Sequence, residues 1–84
     1  MSRLLSQPQE LKVKTNVDGL PASFVRKGRA ERITEVYQRW RVADLWWKGE
    51  VARDYFMIGT ERDFSCDIYR DMTTNTWYLS RIHD

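Results

Sequence analysis

The fold is decided by the stretch Arg39-Trp40-Arg41-Val42-Ala43-Asp44-Leu45-Trp46-Trp47-Lys48-Gly49-Glu50-Val51-Ala52-Arg53-Asp54-Tyr55-Phe56. It contains three of the four tryptophans of the chain, and a Trp-Trp pair stands beside a Lys-Gly-Glu turn signal. Trp is costly to expose to water, and it is costly to bury when its indole N–H has no acceptor. The stretch is therefore either the centre of the core or a binding surface.

Alternating apolar and polar residues extend from this stretch towards both ends of the chain. The β-branched and aromatic side chains of residues 31–42 favour a strand over a helix. Trp40 shares its predicted face with Val36 and Val42, so we expect it in the core. Adjacent side chains of an extended segment point in opposite directions, so we expect one of Trp46 and Trp47, in a connection at 43–49, to be exposed.

The same alternation, broken by turn signals such as Asp18-Gly19 and Gly28-Arg29, predicts the remaining strands. The predicted strands are 11–17, 22–27, 31–42, 51–59, 64–70 and 77–82. We predict an all-β fold, a single antiparallel meander of five to six strands that forms a strongly twisted sheet or an SH3-like, partly open barrel. Residues 1–9 are polar and lack periodicity, which predicts a flexible tail before a single β domain at 10–84.

Length and composition limit the class of protein. Eighty-four residues make one domain, and one cysteine allows no internal disulfide. No apolar run is long enough to span a bilayer, and the first residues do not resemble a signal peptide, so we expect a cytoplasmic protein without membrane contact. Residues 1–32 carry a net charge of +4 and residues 33–84 carry −2. The basic half could contact phosphates, but we favour the simpler interpretation that its Lys and Arg side chains solvate strand faces.

No catalytic constellation is present in the sequence. His83 is the penultimate residue, and Cys66 lies in an apolar alternation between Phe64 and Ile68, where a buried thiol acts as a small hydrophobe. One Cys and one His are too few for a zinc site. We therefore predict no catalytic residue, no metal and no cofactor, and we do not expect an enzyme.

Two charge pairs are expected to fix a strand register. If 51–59 and 64–70 form a hairpin, Arg53 comes opposite Asp71, and Arg70 comes opposite Asp54. We interpret these carboxylates as structural, because an active-site pair needs a cleft and perturbed pKa values. The order of aromatic and basic residues in Arg39, Trp40, Arg41, Trp46, Trp47 and Lys48 is also typical of proteins that stack single-stranded nucleic acid.

Several short motifs recur in an order that resembles a known family. They are Gly19-Leu20-Pro21-Ala22-Ser23-Phe24, Ile33-Thr34-Glu35-Val36, Trp46-Trp47, Arg53-Asp54-Tyr55, Tyr69-Arg70-Asp71 and Trp77-Tyr78-Leu79. Over residues 11–84 the chain resembles a family of small bacterial domains of unknown function. It is also similar to the C-terminal tail of ImuB-type proteins, catalytically degenerate relatives of Y-family DNA polymerases that serve in mutagenic translesion synthesis. We expect it to act without their polymerase-like portion, which the sequence does not match. The Gly typical of their last two turns is also missing, and Asn75 can supply a positive φ in the second of these turns.

The resemblance implies contacts with partner proteins rather than catalysis. We therefore expect a non-catalytic accessory or protein-interaction module whose partner is a DNA-repair polymerase or adaptor. The alternative is a single-stranded nucleic-acid-binding barrel, and a third hypothesis is a weak homodimer, rather than a monomer, that buries an exposed Trp and an edge strand. The candidate binding residues are Arg39, Arg41, Trp46, Trp47, Lys48, Arg53, Tyr55, Tyr69, Arg70 and Trp77.

Overall fold

Six antiparallel β-strands, without a helix, make up the part of the chain that the computed structural model describes, residues 2–46 and 49–83. Side chains are described for residues 4–43 and 49–83. The strands are β1 (Ser2–Thr15), β2 (Pro21–Arg26), β3 (Arg29–Trp46), β4 (Gly49–Thr60), β5 (Ser65–Asp71) and β6 (Thr76–His83). The prediction of an all-β antiparallel meander is confirmed. Nowhere in these residues is there a helix with the length and hydropathy needed to cross a membrane.

The strands form a barrel with an irregular wall. Each strand pairs with the next, and β1 closes the ring because its residues 12–15 pair with β2 and its residues 2–11 pair with β6. The barrel wall is least continuous between β2 and β3, where strand pairing covers only residues 29–32 of β3. Beyond that point the two strands separate.

The core fills the inside of the barrel. Its buried residues are Leu11, Phe24, Phe56, Ile58, Cys66, Ile68, Trp77, Leu79 and Ile82. The rings of Phe56 and Trp77 lie 5.6 Å apart between centroids. Trp77, a candidate binding residue, is thus 8% exposed and belongs to this core. Burying so much apolar surface is the main source of stability for a chain of this size.

The turns use residues that tolerate a positive φ. Gly19 has a φ of 80° and Gly28 a φ of 75°, in the two turns that the sequence indicates. Asn75 adopts a φ of 57°, as we expected from its position between β5 and β6. Asn16 also closes the β1–β2 turn, since its Oδ1 accepts hydrogen bonds from the backbone N–H groups of Asp18 and Leu20.

The N-terminal residues differ from the expected flexible tail. Ser2–Gln9, as the first part of β1, pair with β6 from His83 to Leu79, with an irregularity between Leu4 and Gln9. Strand pairing uses backbone groups, so a polar segment without periodicity can still form a strand. Pro8, which has no N–H to donate, falls within the irregularity.

β3 and β4 are longer than the sequence predicts. The expected connection at 43–49 is largely strand, because residues 43–46 pair with residues 49–52. β5 pairs with β4 only as far as Arg53. Residues 43–46 and 49–52 therefore form a two-stranded extension beyond the barrel, which we call the ribbon.

Candidate interaction surface

Trp40 lies outside the core, which corrects the prediction from the alternation. β3 has irregularities between Ile33 and Glu35 and between Val36 and Gln38. The extra residue Tyr37, between Val36 and Gln38, reverses the phase of the alternation from Val36 to Trp40, so Trp40 comes opposite Tyr55 on the outer face. Trp40 is half-buried there, packed against its neighbour rather than against the core.

Four aromatic rings form a row across the outer face of β3, β4, β5 and β6. The row consists of Trp40, Tyr55, Tyr69 and Tyr78, with successive centroids 5.2, 4.9 and 5.2 Å apart. Each ring is directly opposite the next in the strand register. Cross-strand aromatic pairs of this kind stabilise a sheet and fix its register. We call these residues the aromatic row.

Arg53 covers the middle of the aromatic row. Its Nη1 donates a hydrogen bond to the Tyr55 hydroxyl at 3.3 Å, which raises the pKa of Arg53. Its guanidinium carbon lies 4.7 Å from the centroid of the Tyr69 ring, a cation–π contact. Tyr69 is only 3% exposed, and burial raises the pKa of its hydroxyl. The ring faces in the middle of the row are therefore covered by protein groups.

The opposite face of the same strands carries an ion-pair cluster. Asp54 Oδ2 lies 2.7 Å from Nη2 of Arg39 and 3.5 Å from Nη2 of Arg41, and Arg39 Nε donates to Asp54 Oδ1 at 3.1 Å. The hydrogen bonds from Arg39 hold the pKa of Asp54 below its usual range, and they raise the pKa of Arg39. The Arg39 guanidinium also lies over the ring of Phe56, 5.2 Å from its centroid.

This cluster leaves positive charge at the surface. The side chains of Arg39 and Arg41 are 50% and 60% exposed, whereas that of Asp54 is 6% exposed. One carboxylate serves two guanidiniums, so their donors on the solvent side remain available to a partner. We call Arg39 and Arg41 the arginine pair.

The predicted register of the β4–β5 hairpin is confirmed, since Arg53 is opposite Asp71 and Asp54 is opposite Arg70. Asp54 and Arg70 nevertheless bond to partners other than each other. Asp54 pairs with the arginine pair of β3, and Arg70 Nε donates instead to Oδ1 of Asn75 at 2.7 Å. The sequence did not predict that Asp54 pairs with the arginine pair, because the register of β3 against β4 depends on the irregularities of β3.

β3 has a long unpaired edge. Beyond Arg32, β4 is its sole strand neighbour within the described residues. A cavity separates β3 from β2 here, lined by Asn16, Leu20, Pro21, Ala22, Ile33, Thr34, Glu35 and Val36. Apolar side chains stand exposed along the strand, with Tyr37 56% and Val42 38% exposed. This feature was missed in the sequence, although the length of the alternating stretch is a signal that could have indicated it.

Cys66 and His83 lie on opposite faces of the sheet. Cys66 is fully buried, and burial raises the pKa of its thiol to about 12. His83 Nε2 lies 2.7 Å from Oδ1 of Asp67, outside the core. Neighbouring strand residues point to opposite faces, so Cys66 cannot share a site with Asp67. Within the described ranges, groups of three or more metal-ligating side chains are absent.

The candidate residues thus fall into separate places. Arg53, Tyr55 and Tyr69 meet on the outer face, and the arginine pair lies on the opposite face. Arg70 reaches the β5–β6 turn, and Trp77 is core. Trp46 ends β3, with its side chain outside the described set, and Trp47 and Lys48 lie outside the described residues. Which of the two tryptophans is exposed stays a prediction.

Comparison with known proteins identifies a family without an assigned activity. Residues 3–84 match the domain of unknown function DUF6504, and the chain belongs to this family. Neither a curated protein nor a solved structure matches the chain.

Proposed function

For this DUF6504 domain, we propose the function of a non-catalytic protein-interaction module that binds a DNA-repair polymerase or its adaptor. The observation that carries the proposal is the β3 edge, which is unpaired from Ile33 through the ribbon in the described residues. An unpaired edge presents backbone N–H and C=O groups that readily accept a strand from another chain.

The core identified among the described side chains receives no residue from the ribbon. All the buried core residues of the described chain lie outside residues 43–52. A two-stranded hairpin is marginally stable by itself, so its persistence beyond the barrel suggests a use other than holding the fold. Binding of a partner along the edge is a use that fits its exposed backbone.

The resemblance to the tail of ImuB-type proteins supports the link to DNA repair. That tail is implicated in contacts with partner proteins of a mutagenesis complex. The matching residues Arg53, Asp54 and Tyr55 lie on β4, beside the base of the ribbon. A partner of this kind would place the protein in the cytoplasm.

Single-stranded nucleic acid is the second candidate ligand. The exposed arginine pair favours it, because guanidiniums neutralise phosphates. The aromatic row argues for the protein partner instead, since Arg53 and the neighbouring rings cover the faces of Tyr55 and Tyr69 that bases would need. Quenching of tryptophan fluorescence by an oligonucleotide, reversed by added salt, would favour nucleic acid.

A shortened variant tests the proposed function. Val42 is directly opposite Arg53, so residues 43–52 can be replaced by Asn-Gly, the preferred two-residue hairpin turn. Calorimetric titration against the cell's purified translesion polymerases and adaptors should show binding by the full chain and loss of binding by the shortened variant. Arg62→Ser in the exposed β4–β5 turn is the matched control and should bind normally.

Two results would contradict the proposal. One is a full chain that binds none of these proteins. The other is a shortened variant that keeps its β-sheet circular dichroism and binds with unchanged affinity, because the ribbon would then have no part in recognition.

A further inference from the structure

Resting on the proposed function, we infer the chemistry of the segment that the module binds. The segment is an extended stretch of the partner in which acidic and apolar residues alternate. It adds as a new strand along the β3 edge from residue 37 onto the ribbon. Over residues 37–42 its acidic side chains lie on the face of the arginine pair and its apolar side chains on the face of Trp40.

The backbone of β3 sets the extended form of the segment. The last residue of β3 that pairs with β2 is Arg32, opposite Ser23, and the cavity between the two strands begins at Ile33. Residues 37–42 lie beyond this cavity and pair on one side with β4. Their other side can therefore hydrogen-bond an added strand without displacing any strand of the described chain.

The arginine pair sets the acidic positions. Arg39 and Arg41 are two residues apart, so both point to one face, and a side chain of the added strand directly opposite either of them lies about 4.5–5.5 Å away between Cβ atoms. The single negative charge of Asp54 neutralises only part of the positive charge of the two guanidiniums. The Arg41 guanidinium approaches Asp54 no closer than 3.5 Å. Carboxylates at alternate positions of the segment would complete charge-assisted hydrogen bonds with the exposed donors.

The other face sets the apolar positions. Trp40 ends the aromatic row at the edge strand, and Val42 beside it is 38% exposed. Residues of the added strand opposite Trp40 and Val42 would extend the row of cross-strand contacts by one strand and remove apolar surface from water. The period of two follows because Trp40 and Val42 alternate with Arg39 and Arg41.

A second copy of the chain fits this edge less well. Antiparallel pairing of β3 with itself about Trp40 sets Arg39 of one copy opposite Arg41 of the other, and like charges directly opposite each other are destabilising. An acidic segment meets the same arginines with the opposite charge. Charge complementarity therefore favours a different chain as the occupant.

The test uses a fluorescein-labelled Glu-Val repeat peptide and the full chain. Fluorescence anisotropy should show binding of this peptide, and binding weaker by about tenfold or more for a Lys-Val repeat and for a peptide with its glutamates and valines in separate blocks. Arg41→Glu should weaken the Glu-Val complex by a similar factor and improve binding of the Lys-Val peptide. Arg62→Glu, an exposed charge reversal in the β4–β5 turn, is the control and should leave the preference unchanged.

Hydrogen exchange shows whether the peptide adds as a strand. Alternate amides of residues 37–42 should become protected on binding, since every second N–H of β3 points to the free edge. Equal affinity for the alternating and block peptides, indifference to Arg41→Glu, or tighter binding of oligothymidylate at the same edge would overturn the inference. A dimer of the free chain that protects these amides would also overturn it.

The failures of the two proposals are distinguishable. If the shortened variant loses polymerase binding while Arg41→Glu binds the polymerase normally, the interaction module stands and the acidic segment is wrong. If the Glu-Val peptide binds as expected but no repair protein does, the chemistry of the edge stands and the proposed partner is wrong.

Discussion

The barrel and the ribbon are built from the same two strands but differ in what surrounds them. Within the barrel β4 lies between β3 and β5, and its inward side chains Phe56 and Ile58 are 1% and 0% exposed. Among the residues that the structure describes, the two strands of the ribbon pair with each other and with no third strand, and Gly49 and Glu50 are exposed. The same backbone pairing is thus reinforced by a core in one region and left open in the other. Stability should depend on the barrel, and binding on the ribbon and the unpaired edge beside it.

The largest expected effect lies in the barrel core. Phe56→Ala removes a ring that packs against Trp77 and supports the guanidinium of Arg39, and it should lower the free energy of unfolding by about 3–5 kcal/mol. Urea titration followed by circular dichroism measures the change. Val51→Ala in the ribbon is the matched control, for which we expect about 1 kcal/mol or less. Equal losses for the two variants would erase the distinction between the regions.

The sequence predicts the barrel better than the ribbon, for a physical reason. Alternation reports which side of a strand is buried, so the core strands with Ile58, Cys66 and Ile68 were evident. It says nothing about backbone pairing, which is why the polar β1 residues 2–9 and the ends of β3 and β4 were missed. The Arg53–Asp71 register was predictable because both residues lie in regular strands joined by one short turn.

The error at Trp40 has a different origin. Parity along a strand places Trp40 with Val36, but the extra residue Tyr37 reverses the phase between them. Tyr37 lies over Gly59, where a Cβ would stand 2.7 Å from the Tyr37 hydroxyl. The close contact of ring and backbone depends on two strands together, so neither strand alone predicts it.

The next largest effect concerns the boundary between the two regions, at Asp54. Asp54→Asn should lower the free energy of unfolding at pH 7 by about 1–2 kcal/mol, because it removes the charge-assisted bonds from a half-exposed Arg39. The folded pKa of Asp54 is below its unfolded value, so its stabilisation is complete above about pH 4 and is lost as the pH falls through the folded pKa. The difference between wild type and variant should therefore shrink in acid.

Urea titrations at pH 7 and pH 3 provide the measurement for Asp54. Asp63→Asn is the control, because this exposed turn residue has a φ of 60°, which Asn also tolerates. A difference for Asp54→Asn that is the same at both pH values would show that the ion pair with the arginine pair contributes nothing.

A smaller effect tests whether the aromatic row stabilises the pairing of β4 with β5. In a double-mutant cycle of Tyr55→Leu and Tyr69→Leu, the coupling free energy should be about 0.5–1.5 kcal/mol, because the two rings lie 4.9 Å apart on neighbouring strands. The cycle of Tyr55→Leu with Tyr37→Leu is the comparison, since Tyr37 is outside the row, and should give a value near zero. Indistinguishable couplings would mean that the row is only a set of separately packed rings.

The smallest effect on stability belongs to removal of the ribbon itself. The shortened variant with Asn-Gly in place of residues 43–52 loses one backbone hydrogen bond to the β5–β6 turn, from Met72 N–H to the Ala52 carbonyl, at 2.8 Å. Such a bond contributes about 1 kcal/mol, and no described core residue is removed, so the free energy of unfolding should fall by about 1 kcal/mol or less. A loss as large as that of Phe56→Ala would show that the ribbon supports the barrel, and binding would then no longer explain its length. If the shortened variant is stable but no longer binds the partner, the barrel is sufficient for folding and the ribbon is needed for binding. The two regions would then have separate roles in the same chain.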